Sequence, residues 1–307
     1  DLRWRSPLGV TPVGAPAIGP DGTLYVVDDG PGMSAIAADG AVLWRFTPAA
    51  EGRRATSGPI VGADGTIYFS RVDRVQAVNP DGSERWLSAP VEGLWEEPPR
   101  LSPTYALIFL GLGALSTQDG SPVDLQLPIT QEMLFTGPRL AVGADGRHYL
   151  MAGNTALEWE LAQGRAQVLR SITWDVGGLN IFVPSDSGIS ADARMWLFYG
   201  QSFSTARIAW IDGNSRLLTN IEAALRDTRL VGIDPAGNAY LCSRVGKARC
   251  LQFDRSAGTV GWDATLPAGL GVAGGALAPG RLYVSTTDGF LVALGDAGAG
   301  ESGDDRS

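Results

Sequence analysis

A chain of 307 residues, 44% of them hydrophobic, carries enough apolar material for one large domain or two ordinary ones. Its 33 acids against 24 bases leave a net charge of −9, which argues against nucleic acid and anionic membrane surfaces as partners. No apolar run approaches about 18 residues, so no membrane-spanning helix is expected, and 41 glycines with 19 prolines and little helical periodicity favour an all-β protein.

In chain order, one phrase recurs: a small residue, Pro, an apolar pair, a Gly-rich turn and an aromatic strand. It reads APAIGPDGTLYVVD from Ala15, GPIVGADGTIYFSR from Gly58 and GPRLAVGADGRHYLMA from Gly137. Weaker copies are RLVGIDPAGNAYLCS from Arg229 and GALAPGRLYVSTTDG from Gly275. The turn residue falls at Asp21, Asp64, Pro103, Asp145, Asp192, Ala236 and Pro279, a period of 39 to 47 residues. A second turn follows each first one, at Asp39-Gly40, Asp81-Gly82, Asp119-Gly120, Gln163-Gly164, Asp212-Gly213, Ala257-Gly258 and Ala297-Gly298. Such turns, of type I′ or a related kind, link antiparallel strands.

Each unit then divides into four short strands, in the first near Ala17–Gly19, Thr23–Asp28, Ser34–Ala37 and Val42–Thr47. Four strands per period of about 43 residues predict an all-β, seven-bladed β-propeller of four-stranded antiparallel blades. A tryptophan stands five residues after the second turn residue in three units, at Trp44, Trp86 and Trp262, where it is expected to fill the wedge between blades. The middle units lack it. The last unit has three strands and no fourth, whereas Leu2–Ser6 in DLRWRSP matches the fourth strands AVLWRFTP and SERWLSAP. The N-terminal strand is therefore expected to complete the seventh blade against Gly289–Leu294 and close the ring, with Trp4 packed as Trp44 and Trp86 are. Residues 1–297 form one propeller domain on this reading, and 298–307 a flexible polar tail.

These units resemble the repeats of pyrroloquinoline-quinone-type (PQQ-like) β-propellers, strongly in units one, two, six and seven and loosely in three to five. The resemblance implies the fold more than the function. The quinoprotein dehydrogenases among such propellers have eight blades, much longer chains and a Ca²⁺ site, and often adjacent cysteines. Seven units and two separated cysteines depart from that pattern, so no cofactor and no catalytic or metal residue is expected. Relatives without cofactor residues include periplasmic lipoproteins that assist outer-membrane protein assembly. The resemblance thus implies a non-catalytic, exported interaction scaffold with a protein partner, in the periplasm or outside the cell and compatible with an anchor upstream of Asp1. Two alternatives stand beside it: a quinone- or sugar-binding enzyme using the channel, and a structural subunit of a larger membrane-associated complex.

Other chemistry is sparse. His148 is the only histidine, and alignment with Leu24 and Ile67 places it at a blade-packing position. The Asp-Gly turns lack the alternating acids of a Ca²⁺ loop; VVDDGPG at Val26–Gly32 is the nearest approach. Cys242 and Cys250 read either as a cross-strand disulfide or as two small buried apolar residues. NIEAALRDT at Asn220–Thr228 alone has a helical look.

The extra residues are spent on loops joining fourth strands to the next unit and second strands to third, which share one face of a propeller. They carry the candidate partner-binding residues Trp95, Glu96, Glu97, Phe135, Trp174, Phe182 and Phe203. Aromatics beside charges on long loops of a rigid scaffold suit a binding surface, although such side chains also fold inward to plug a channel.

Overall fold

The computed structural model describes residues 2–295 except 31, 49–53, 92–98, 131–138, 143–146, 153–154, 174–185, 190–194, 202–204, 212–219, 222–227, 235, 244–248, 255–258 and 267–270. Strand β1 (Leu2–Pro7) opens the chain. The first repeat gives β2 (Ala17–Ile18), β3 (Leu24–Val27), β4 (Met33–Ile36) and β5 (Val42–Phe46), and the second gives β6 (Ile60–Val61), β7 (Ile67–Arg71), β8 (Arg74–Val78) and β9 (Glu84–Leu87). The third holds β10 (Arg100–Leu101), β11 (Leu107–Leu110), β12 (Gly113–Ser116) and β13 (Pro122–Val123). The fourth holds β14 (Arg139–Val142), β15 (His148–Ala152), β16 (Thr155–Ala162) and β17 (Arg165–Thr173). Then follow β18 (Asp186–Ile189), β19 (Met195–Gln201), β20 (Thr205–Ile211) and β21 (Asn220–Ile221); β22 (Thr228–Ile233), β23 (Ala239–Ser243), β24 (Arg249–Asp254) and β25 (Thr259–Thr265); and β26 (Val272–Ala278), β27 (Arg281–Thr286) and β28 (Phe290–Gly295).

Among the described residues these make seven four-stranded antiparallel sheets. Six hold four consecutive strands, and the seventh runs β1-β28-β27-β26. Leu2 pairs with Leu294 and Pro7 with Phe290, so the opening stretch does complete the last repeat's sheet. First strands of neighbouring sheets touch at β2 and β6, β10 and β14, β14 and β18, β18 and β22, and β22 and β26; β26 also touches β2. No described residue is helical, and Asn220–Ile221, expected to begin a helical turn, instead pairs with Ala206–Arg207 as a fourth strand. Of the rest of that stretch, 222–227 lie outside the described residues and Thr228 opens β22.

The turns are of a kind related to type I′. Gly22 N–H donates to Gly19 O and Gly19 N–H to Thr23 O, and Gly22 sits at φ +84°. This is a three-residue loop closed by a left-handed glycine, and it recurs at Ala37–Gly40, Gly62–Gly65, Asn79–Gly82 and Asp234–Gly237. The aspartate before the glycine accepts the backbone N–H of the residue after it, as Asp21 does from Thr23 and Asp64 from Thr66. The local hydrogen bond is why Asp is chosen there.

The core lies in the seams between sheets. Tyr25 and Val27 pack with Ile67 and Phe69 of the second sheet, while Leu24 and Val26 pack with Tyr283 and Leu291 of the last. Alternation therefore sends successive residues of one strand to opposite neighbours, and the strand reads as an unbroken apolar run.

Cys242 lies opposite Cys250 on β23 and β24, and the two form a disulfide in the seam between the sixth and seventh sheets. Both are fully buried. The double variant Cys242→Ala/Cys250→Ala should lose about 2–3 kcal/mol, from the entropy of the short loop the bond closes in the unfolded chain. A thermal melt identical to the parent protein would show that the surrounding core carries this seam by itself.

Candidate interaction surface

The antiparallel order places the Asp-Gly turns at one end of every sheet and the long connections at the other. The seven residues singled out for partner binding (Trp95, Glu96, Glu97, Phe135, Trp174, Phe182 and Phe203) all fall outside the described residues, as do Glu92 and the tail 298–307. What is described is the platform that carries their loops.

At the long-loop end, that platform is tied by backbone and arginine bonds. Asp28 N–H donates to Gly32 O, and the Asp28 carboxylate accepts Gly32 N–H at 3.0 Å, so VVDDGPG closes its own hairpin. Ala55 N–H donates to Gly30 O and Asp29 N–H to Thr11 O, linking this hairpin to its neighbours. Among the described residues no group of three metal-ligating side chains exists. Arg45 donates to Leu8 O, Arg74 to Ser88 O, and the buried Arg71 to Gln76 Oε1. Burial pushes the Arg71 guanidinium below its usual range. Arg249 grips the Asp263 carboxylate through Nε and Nη2; that contact lowers the acid's pKa and raises the base's.

The tight-turn end is set by aspartates. Bonds from Thr23 hold the Asp21 carboxyl below its usual range, and bonds from Ser83 and Ser121 do the same at Asp81 and Asp119. Burial pushes Asp64 up, but the Thr66 bonds and the Arg85 charge outweigh it and leave its carboxyl lowered.

The tryptophans pack in one way. Trp4 lies over Gly40, Trp44 over Gly82 and Trp86 over Gly120, each fourth strand reaching the second turn of the next sheet. Trp4 Nε1 donates to Ala38 O and Trp86 Nε1 to Thr117 O. Each indole also meets a tyrosine of its own sheet, in the pairs Trp4–Tyr283, Trp44–Tyr25 and Trp86–Tyr68. The cross-strand row is Tyr25–Ala35–Trp44 in the first sheet. In the fourth it is Tyr149–Glu158–Arg170. Glu158 is buried there, with Arg170 Nη2 at 2.7 Å and Arg147 Nη1 at 2.9 Å. Counting from the turn missed this replacement, because the β16–β17 hairpin is longer than its equivalents and Arg170 lies seven residues past Gln163.

His148 occupies the packing position expected of it. It is 2% exposed among the rings of Tyr105, Phe109 and Trp159, with Nε2 3.0 Å from Ser102 Oγ. That hydroxyl also accepts the N–H groups of Thr104 and Tyr105. The Ser102–His148 contact is buried in the seam and joins the third sheet to the fourth.

Residues 1–121 match the family model described as outer membrane protein assembly factor BamB. No curated protein sequence matches the chain. Among solved structures, virginiamycin B lyase from Staphylococcus aureus superposes with a TM-score of 0.69 at 10% identity, covering 95% of this chain and 98% of that one. A catalytically inactive histidine-to-alanine variant of that lyase with quinupristin superposes at 0.66 and 12% identity, again covering 95% and 98%. At such identities the likeness is one of fold. Residues 1–121 thus carry repeats similar to those of the PQQ-like, BamB-type family, in a chain whose fold is that of β-propeller-like proteins.

Proposed function

We propose that the seven sheets are the blades of one closed propeller, completed by β1 and spanning residues 1–297, and that it is a non-catalytic scaffold. On this reading an exported assembly factor or complex subunit binds a protein partner through the long-loop face, with Trp95 and Trp174 as principal contacts and Glu96, Glu97, Phe135, Phe182 and Phe203 around them. The observation that carries it is the match of residues 1–121 to an assembly-factor family. The Cys242–Cys250 disulfide supports an oxidising compartment.

Crosslinking in native extract followed by purification tests this reading. The Trp95→Ala/Trp174→Ala double variant should lose the crosslinked partner while melting like the parent protein. Undiminished crosslinking would move the contact to another face.

The second reading, a lyase-like or quinone-binding enzyme, draws on the fold likeness to virginiamycin B lyase. The sealed position of His148 weighs against it for any histidine-dependent reaction. Incubation with quinupristin, read by mass spectrometry, and titration with PQQ and Ca²⁺, read by absorbance, should both leave the signal unchanged. A product mass or a bound-quinone spectrum would overturn the scaffold reading.

A further inference from the structure

We infer that Asp39–Gly40 is a site of spontaneous isoaspartate formation, and that this slow modification unlatches β1 from the first sheet. The inference is independent of what the long loops bind. Gly40 is the glycine that Trp4 covers; Ser6 Oγ donates to its carbonyl, and Trp4 Nε1 donates to Ala38 O. Three contacts of β1 thus converge on one Asp-Gly turn. The turns Asp39–Gly40, Asp81–Gly82 and Asp119–Gly120 are alike in most respects. In each the glycine is left-handed, lies under an indole and donates its N–H backward, to Ala37 O, Asn79 O and Ser116 O. In each the aspartate is exposed and accepts the N–H two residues ahead.

The difference is the residue two places ahead. Ser83 and Ser121 add a hydroxyl bond to the carboxylate, at 2.6 and 2.8 Å, and bonds from these serines hold both acids below their usual range. Thr23 and Thr66 add the same kind of bond at Asp21 and Asp64. Ala41 has no hydroxyl, so its N–H alone holds the Asp39 carboxylate, at 3.0 Å. Isomerisation begins when the carboxyl leaves that bond, takes up a proton and turns back onto Gly40 N. The nitrogen bonds to Asp39 Cγ, and a carboxyl oxygen departs as water with the amide proton, which leaves a five-membered succinimide. Water then opens either carbonyl and restores the aspartyl link or gives the isoaspartyl one. Glycine, with no Cβ, leaves its nitrogen open to attack. A hydroxyl that keeps the carboxylate ionised and turned forward slows the first step. The isoaspartyl link carries the main chain through the side-chain methylene, so Gly40 no longer lies under Trp4 with its carbonyl on Ser6. The remaining Asp-Gly pairs differ in setting. Asp288 is held by Thr286 and Arg5, and Gly30, after Asp29, has only Asp28 against it. Asp145–Gly146 and Asp212–Gly213 lie outside the described residues.

The test ages the folded full chain at mildly acidic pH, digests it, and measures isoaspartate in each Asp-Gly peptide by mass spectrometry with electron-transfer fragmentation. Isoaspartate should accumulate at Asp39 about fivefold faster than at Asp81 and Asp119, the factor that one net hydrogen bond supplies. Ala41→Ser, which changes an exposed side chain, should slow Asp39 by a similar factor without lowering the melting temperature. Ser83→Ala should bring Asp81 up toward the Asp39 rate. In denaturant the three sites should isomerise alike. Hydrogen exchange over β1 should quicken in the aged protein in proportion to its isoaspartate at Asp39, and should stay slow in Ala41→Ser aged for the same time. Equal rates at the three turns in the folded protein, a difference that persists in denaturant, no response to either serine exchange, or unchanged exchange over β1 in the isomerised fraction would each overturn the proposal.

Discussion

Removal of residues Asp1–Pro7 should lower the melting temperature by at least about 10 °C and leave much of the chain unfolded or aggregated, rather than fray one end. The deleted strand supplies the whole β1–β28 ladder. It also supplies Trp4, which packs over Gly40 and Tyr283, and Ser6, whose hydroxyl donates to Gly40 O at 2.9 Å. Arg5 stacks on the Phe290 ring and pairs with Asp288. Loss of the strand therefore strips the outer part of the seam between the last and first sheets and leaves β28 as a raw apolar edge. Truncating a buried aromatic typically costs about 3–5 kcal/mol, and a half-buried indole less, so Trp4→Ala alone should cost about 2 kcal/mol. Domains are stable by only about 5–15 kcal/mol, so the full deletion removes a large share of the total. Calorimetry of the deletion, Trp4→Ala and Trp44→Ala separates the outcomes. Equal shifts for the two tryptophans support equivalent roles in equivalent seams. A deletion that melts like the parent protein would mean that β1 adds nothing to the stability of the fold.

That result would also explain why the sequence is so informative at some positions and silent at others. The repeat is legible because three described seams use the same parts: an Asp that bonds two residues ahead, a left-handed Gly, and a Trp that covers the Gly of the next turn. Trp4 betrays β1 as a fourth strand because no other element calls for an indole beside that glycine. The fourth sheet hid its equivalent residue because the hairpin is longer there and because Glu158–Arg170 solves the seam with charge instead of a ring. Neither residue type suggests a packing position: Glu158 is buried only because Arg170 and Arg147 pair with it, and Arg170 itself stays about half exposed. The pairing of Ser102 with His148 was equally invisible, being formed across two repeats whose relation only the packed seam reveals. The expected binding residues were chosen for loop length and aromatic content, and the fold supports the platform beneath those loops without describing them.

The second large effect concerns the backbone of Ala15, at the entry to the first repeat's inner strand. It passes between Gly58 of the second sheet and Gly274 of the last. A Cβ placed on either glycine would lie closer than 3.0 Å to Ala15 main-chain atoms. Side chains can rotate out of such an overlap, but main chain held by Ser285, whose hydroxyl donates to Gly14 O at 2.8 Å, cannot. Gly274→Ala and Gly58→Ala should therefore each cost about 3 kcal/mol, the upper part of the range for overpacking. Gly22→Ala is the control: its φ of +84° disfavours alanine, yet nothing lies within 4 Å, so only the conformational cost of about 1 kcal/mol is expected. The two seam substitutions share one target, so their effects should not add: once Ala15 has shifted for one added methyl, the second meets less resistance. A double variant that loses clearly less than the sum of the singles would place all three residues in one wedge joining the first, second and last sheets. Gly274→Ala melting within about 2 °C of the parent protein would instead mean that the last sheet does not press on the first at Ala15, and that the two sheets are held together mainly by the outer strand β1.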